Sequence, residues 1–219
     1  MRLWGSTPPL SLKVIMINEA YIKYYMKLAK VVGENKTSCY TRKIGVVIVD
    51  PKANRILGTG KNGPPKGTPH TDDDEYLENV VWPQLTVDEK RFALANFNLV
   101  YEEEDDKELK QMFSSSACNG KTCPRRLVGA ISGKRLELCS CAHAEQNAII
   151  NSAQSVAGGW MFAWCSTPCI DCTKAIINSG IERLYCLDVG EQDYSTGARW
   201  LLYKAKIPIF QLLPEWYEA

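Results

Sequence analysis

Apolar residues recur at helical spacing near the start of the chain and in strand-length runs further along it. Between Asn18 and Val32 they recur with the period of one helix face, and Gly33 follows, which predicts an amphipathic helix that ends at this glycine. Two apolar runs, at 44–49 and 55–60, flank a turn-prone segment that contains proline and asparagine. This arrangement predicts a buried β-hairpin.

The second half of the chain alternates helical and strand patterns. The predicted elements are a helix at 141–155, a strand at 160–165, a helix at 169–179, a strand at 181–187, a helix at 196–205 and a strand at 207–213. Such alternation is typical of crossover connections between parallel strands. It therefore predicts largely parallel pairing in this half of the chain. Together with the hairpin it predicts an α/β fold with a five-stranded sheet and helices on both of its faces.

In residues 63–138 the apolar residues follow neither the helical pattern nor the strand pattern. They contain acidic clusters at 72–75 and 102–106 and a basic, cysteine-bearing stretch at 118–135. A loop of this length without internal structure is unusual in a compact domain. We therefore predict a single domain over residues 1–219 with an insertion at 63–138, ordered by a helix around Val87–Leu99 or by a bound metal.

Composition limits the possible partners and compartments. The net charge of +1 over 219 residues gives no general attraction to nucleic acid or to anionic membranes. The first 16 residues include Pro8 and Pro9 and show neither the apolar run of a signal peptide nor the length of a membrane span. We expect a cytoplasmic protein with no membrane partner, in which the nine cysteines are reduced and bind metal.

Two short motifs carry the chemistry. The first is Cys-Ala-His143-Ala-Glu145, and the second is Pro-Cys169-Ile-Asp-Cys172. Each is predicted to open a helix, where unpaired amide groups and the helix dipole favour thiolate sulfur. In the second motif, we predict Thr167 as the N-cap and Pro168 as the first helical residue.

Together the motifs predict a catalytic zinc site. His143, Cys169 and Cys172 would leave the fourth position of a tetrahedral zinc ion open for water. Glu145 would take a proton from that water and pass it to the substrate. This pattern, H-x-E followed by P-C-x-x-C, is that of the zinc nucleobase deaminases. The competing hypothesis is a structural zinc knuckle with a core histidine and a helix-favouring glutamate.

Longer segments resemble the deoxycytidylate deaminase branch of the cytidine deaminase superfamily. The similar segments are 37–49, 60–67, 143–149 and 168–172. The resemblance implies a three-layer α/β/α sandwich with a five-stranded mixed sheet, and release of ammonia from deoxycytidine monophosphate (dCMP). It also implies a homo-oligomer, often a hexamer.

The resemblance also implies roles for individual residues. Asn62 would contact the nucleoside, and Tyr194 would lie near the base. Arg42, Lys43 and Lys66 are candidates for the phosphate, since a dianion needs cations or amide donors. Each of these three is equally well explained as solvated surface charge.

A second, structural zinc is a further expectation, with ordinary buried thiols as the alternative. Thr71 stands where relatives usually have a cysteine. The ligands that the resemblance favours are Cys39, Cys123 and Cys139, with the fourth from Cys118, Cys141 or His70.

Three alternatives to dCMP deamination stay open from the sequence. The substrate could be another cytosine nucleotide such as dCTP, or a polynucleotide. The protein could also be a catalytically silent nucleotide-binding zinc protein. We expect no nucleic acid partner, because the acidic clusters would repel a phosphate backbone.

Overall fold

The computed structural model describes residues 19–35, 39, 42–119, 123–131, 134–189 and 195–218. The strands are β1 Gly45–Asp50, β2 Arg55–Lys61, β3 Trp160–Ala163, β4 Arg183–Leu187 and β5 Ile209–Leu212. The helices are α1 Glu19–Glu34, α2 Asp74–Tyr76, α3 Val87–Ala95, α4 Asp106–Asn119, α5 Pro124–Leu127, α6 Ala144–Ile150, α7 Ile170–Asn178, α8 Ser195–Lys204 and α9 Glu215–Glu218.

The five strands form one mixed sheet in the order β2-β1-β3-β4-β5. β1 is antiparallel to both of its neighbours, whereas β3, β4 and β5 run parallel. The mixed sheet is therefore confirmed. The parallel pairing that the alternation predicted is present among β3, β4 and β5, and β1 pairs antiparallel with β2 as the hairpin predicted. Because β1 is antiparallel to both β2 and β3, these two strands run in the same direction on either side of it. The chain passes from β2 to β3 through the long segment before α6 and through α6 itself.

The predicted hairpin between β1 and β2 is confirmed. In its turn, Oδ1 of Asp50 accepts hydrogen bonds from the backbone N–H groups of Lys52 at 2.9 Å and Ala53 at 3.1 Å. Asn54 adopts a φ of 50°, a left-handed conformation that asparagine tolerates well. These contacts set the pairing of the two strands.

Helices cover both faces of the sheet, as predicted for a three-layer α/β/α sandwich. Alternate residues of β1 point to opposite faces. Val46 and Ile48 pack with buried residues of α6, α7 and α8, whereas Val47 and Val49 pack with buried residues of α1. The catalytic motifs belong to the face covered by α6 and α7.

Several element boundaries differ from the predictions. α1 continues through Gly33, which is buried. A Cβ at this position would lie 2.6 Å from the backbone nitrogen of Gly45. That glycine therefore permits close packing of α1 on β1 and does not end the helix. α6 is shorter than the predicted 141–155, and β3 ends two residues before the predicted 165.

The chain divides into two compact units. The first holds the sheet and its helices. Among the described residues, the second consists of Cys39, Arg42, 63–119, 123–131 and 134–142. Its buried apolar residues form a separate core, whose largest members include Trp82, Phe113, Leu94 and Leu138.

The helix predicted around Val87–Leu99 is present as α3, which ends at Ala95. It begins with a capping box in which Thr86 and Glu89 each bond the other's backbone N–H, an arrangement that satisfies two helix-end donors. The second unit is thus ordered by its own helices and core.

A charged group holds α3 against α4 in this unit. Asp106 accepts hydrogen bonds from Lys90 at 2.5 Å, Tyr101 at 3.0 Å and the Trp82 indole at 3.1 Å. Burial alone would raise the pKa of Asp106, but these hydrogen bonds together lower it below its ordinary value. The ammonium group of Lys90 also lies 4.7 Å from the Trp82 ring centroid, a cation–π contact.

In the described part of the chain, every helix is too short or too polar to cross a membrane.

Candidate zinc site and active site

The two chemical motifs meet at the starts of α6 and α7. His143 is the residue before α6, with an extended backbone at φ −75° and ψ 150°. Cys169 occupies the same position before α7, at φ −65° and ψ 167°. The prediction that α7 begins at Pro168 with Thr167 as its cap is therefore wrong. Thr167 is buried and accepts a hydrogen bond from the Gln211 amide at 3.4 Å, so it serves β5 and not the helix end.

Three ligand atoms converge at these helix starts. Nδ1 of His143 lies 3.3 Å from Sγ of Cys172 and 3.4 Å from Sγ of Cys169. A tetrahedral zinc ion with ordinary Zn–S and Zn–N bonds separates its sulfur and nitrogen ligands by about 3.6 Å. The three side chains therefore fit one zinc ion, with Nδ1 as the histidine ligand atom.

The two thiols differ in acidity because one hydrogen-bonds to the other. The hydrogen bond from Cys172, together with His143, lowers the pKa of Cys169 to about 4. The same bond, followed by burial, raises the pKa of Cys172 well above its ordinary value. The pair thus shares one proton, which a metal ion would displace.

Glu145 lies in the first turn of α6 and is 4% exposed. Burial raises the pKa of its carboxyl group, although the neighbouring His143 acts in the opposite direction. The thiol of Cys165 donates a long hydrogen bond of 3.9 Å to Oε1 of Glu145. A buried carboxyl group beside a metal-ligand set can accept and return a proton.

Comparison with known proteins identifies the family. Residues 20–188 match the model for the cytidine and deoxycytidylate deaminase zinc-binding region. The chain belongs to this family.

Among its relatives are deoxycytidylate deaminases from Schizosaccharomyces pombe and from Mycobacterium phage D29. The first is 24% identical over 192 residues, covering 87% of this chain and 44% of the yeast protein. The second is 25% identical over 167 residues, covering 74% of this chain and 90% of the phage protein. The chain thus spans less than half the length of the S. pombe relative.

A solved structure with a related chain is the dCMP deaminase of cyanophage S-TIM5 in apo form. It is 19% identical to this chain, and the match covers 88% of this chain and 98% of the phage protein with a TM-score of 0.49.

The other described residues that the family resemblance singled out belong to both units. Asn62 is 6% exposed, and its Oδ1 accepts a hydrogen bond of 3.2 Å from the backbone N–H of Ile44. Lys43 is exposed next to Ile44 in the unit that contains the sheet, whereas Arg42 and Lys66 are exposed residues of the second unit. Tyr194 lies outside the described residues.

The second unit brings together the cysteines expected to hold a second zinc. A hydrogen bond with Cys139, followed by burial, raises the pKa of Cys141 far above its ordinary value, and Cys39 and Cys123 add to this shift. His70 is hydrogen-bonded through Nδ1 to Asp72. The side chain of the remaining candidate, residue 118, lies outside the described ones.

These four thiols are more loosely grouped than the catalytic ligands. Of the residues that the structure describes, only His143, Cys169 and Cys172 bring three ligand atoms within 4.8 Å of one another. The second zinc therefore stays a prediction.

Two residues that contact this site or its support, Cys165 and Asn147, were not among the predicted site residues. Cys165 contacts Glu145 from the segment after β3, and Asn147 joins α6 to β2. Asn147 lies in the segment 143–149, which resembles the deaminase family. Its partner could not be predicted from the sequence, because the acceptor is the backbone carbonyl of Lys61 and every residue type has such a carbonyl.

Proposed function

We propose that this chain catalyses the zinc-dependent hydrolytic deamination of dCMP to deoxyuridine monophosphate and ammonia. The observation that carries the proposal is the buried carboxyl group of Glu145 beside a three-ligand zinc set of His143, Cys169 and Cys172. A structural zinc knuckle would have four protein ligands and no need of a buried acid. The names of the deoxycytidylate deaminase relatives support the choice of substrate.

The chain's own residues would perform the proton transfers. His143, Cys169 and Cys172 would hold a zinc ion, and the chemistry that such an ion would supply is a water acidic enough to attack the amino-bearing carbon of cytosine. Glu145 accepts the proton of this water on a carboxylate oxygen, delivers it to the ring nitrogen, and then helps to protonate the departing amino group. Because burial raises its pKa, Glu145 is suited to hold a proton between these steps.

Asn62 and three cations would select the nucleotide. Asn62 would contact the nucleoside, and Tyr194 would lie near the base. Arg42, Lys43 and Lys66 are exposed and would contact the terminal phosphate. One charge-assisted contact contributes about 1.5–3 kcal/mol, so one or two of them favour nucleotide over nucleoside by roughly ten- to ten-thousand-fold.

The test compares kcat/KM for deoxycytidine, dCMP, dCTP and a cytosine-containing oligonucleotide. We expect dCMP to be the best substrate, and alanine at position 42, 43 or 66 to reduce this preference. The matched control is Lys52→Ala, which removes an exposed lysine of the hairpin turn. Equal efficiency on deoxycytidine and dCMP would refute the phosphate contacts.

The same panel distinguishes the alternatives. Preference for dCTP or for the oligonucleotide would reassign the substrate. Nucleotide binding without ammonia release by zinc-loaded protein would identify a catalytically silent binding protein.

We also propose that Cys39, Cys123, Cys139 and Cys141 hold a structural zinc. The proposal is supported by the proximity of these thiols within the second unit. Cys123→Ser is expected to lower the zinc content from two ions per chain to one while the catalytic ion remains. One zinc per chain in the unmodified protein would end this proposal. A homo-oligomer, hexameric by resemblance, stays a prediction for analytical ultracentrifugation.

A further inference from the structure

The helix that carries Glu145 lies directly on β2. A Cβ placed on Gly60 would lie 2.1 Å from the carbonyl oxygen of Ala144 and 2.3 Å from the backbone nitrogen of Ala148. The missing side chain at Gly60 therefore lets the backbone of α6 contact the strand. This contact fixes the distance between helix and strand.

A hydrogen bond from Asn147 also ties the helix to the end of this strand. Its side-chain Nδ2 donates to the carbonyl oxygen of Lys61, the last residue of β2, at 2.8 Å. Asparagine is less favourable than alanine within a helix because its side chain competes for backbone partners. At position 147 the side chain instead bonds to a neighbouring strand, so this cost is offset by a tertiary contact.

The bonded carbonyl belongs to the peptide that leads into Asn62. The next backbone N–H, that of Asn62, donates to the carbonyl of Ile44 at 3.3 Å, and the Asn62 side chain accepts from the N–H of Ile44 at 3.2 Å. The Lys61–Asn62 peptide is thus held by Asn147 on one side and by Ile44 on the other. The position of this peptide determines where the side-chain amide of Asn62 lies relative to α6.

We propose that Asn147 is a positioning residue that aligns Asn62 with Glu145. It does not touch substrate. By bonding to the Lys61 carbonyl, it sets the register between the helix that carries the proton-transfer group and the strand end that carries the nucleoside contact. This inference rests on the proposed function, in which Asn62 contacts the nucleoside.

The test replaces Asn147 with leucine, which has a similar shape but no donor. We expect kcat/KM for dCMP to fall by about ten- to a hundredfold, mainly through a higher KM, because the part-buried Lys61 carbonyl loses its partner and Asn62 shifts. The matched control is Asn151→Leu, the same change at the exposed C-cap of the same helix. Zinc content is measured for both variants and should equal that of the unmodified chain.

A double-mutant cycle separates positioning from a general structural role. If Asn147 acts through Asn62, then Asn62→Ala and Asn147→Leu together cost no more than Asn62→Ala alone. Costs that simply multiply, or a wild-type KM in Asn147→Leu, would overturn the proposal.

A readout independent of turnover distinguishes this inference from the proposed function. Hydrogen exchange at the backbone N–H of Asn62 should be faster in Asn147→Leu than in the unmodified protein, and it should be unchanged in Asn151→Leu. If the unmodified protein deaminates no cytosine nucleotide, the proposed function fails, and unchanged exchange at Asn62 would separately refute the role of Asn147.

Discussion

Replacing Gly60 with alanine is expected to displace the helix that carries Glu145. The new Cβ would lie 2.1 Å from the Ala144 carbonyl oxygen. Because this is a backbone atom, no side-chain rotation relieves the overlap. Favourable contact needs a separation of about 3.5 Å, so helix and strand must move apart by more than about 1 Å.

This displacement sets the size of the expected effect. A misplacement of about 1 Å at a reacting group costs on the order of a hundredfold in rate, and we expect this loss in kcat/KM for dCMP. Overpacking should also lower the free energy of unfolding by about 1–3 kcal/mol. Initial rates are measured on protein of known zinc content, and thermal unfolding is followed by circular dichroism.

The control is Thr59→Ala, an exposed position on the same strand, which should leave kcat/KM and unfolding nearly unchanged. A Gly60→Ala variant with full zinc content and wild-type kcat/KM would refute the argument that close contact with β2 positions Glu145.

Three further predictions concern other parts of the molecule. Glu145→Gln should retain zinc but lose about a hundred- to ten-thousand-fold in kcat, because an amide does not relay the proton; substantial turnover by fully metallated variant would remove Glu145 from this role. Cys169→Ala should lose zinc and activity together, measured by metal analysis and ammonia release. The pKa of Asp106 is lowered by its hydrogen bonds, so its stabilisation is present above the unfolded pKa near 4 and lost as pH falls through the lower folded value. Asp106→Asn should therefore destabilise the second unit at neutral pH and weaken its acid dependence, with Trp82 fluorescence as the probe.

The candidate zinc ligands were predictable because their positions follow local rules. His143 and Cys169 each lie immediately before a helix, where extended backbone and unpaired amides favour a ligand. The metal chemistry of histidine and two thiols is likewise a property of residue type. The hairpin and the α/β layers followed from periodicity in the same way.

Errors arose where tertiary contacts override local preference. Thr167 has the chemistry of an N-cap, but it is buried and bonded to Gln211. Glycine is the residue type most common just after a helix end, but Gly33 lies within α1 and allows the helix backbone to pack closely against Gly45. In both cases a residue distant in the sequence determines the role of the side chain or glycine. Such a contact cannot be predicted from the neighbouring residues alone.

The antiparallel pairing of β1 with β3 has a consequence for the active site. Because β1 and β2 form a hairpin, β2 ends at Lys61 on the edge where β1 begins, and the end of β3 lies beside the start of β1, with Val46 paired to Ala163. The strand end that leads to Asn62 and the strand end that leads to Cys169 therefore reach the same edge of the sheet. Had β1 run parallel to β3, these two ends would lie at opposite edges. The mixed sheet is thus what allows the proposed nucleoside contact and the zinc ligands to share one site.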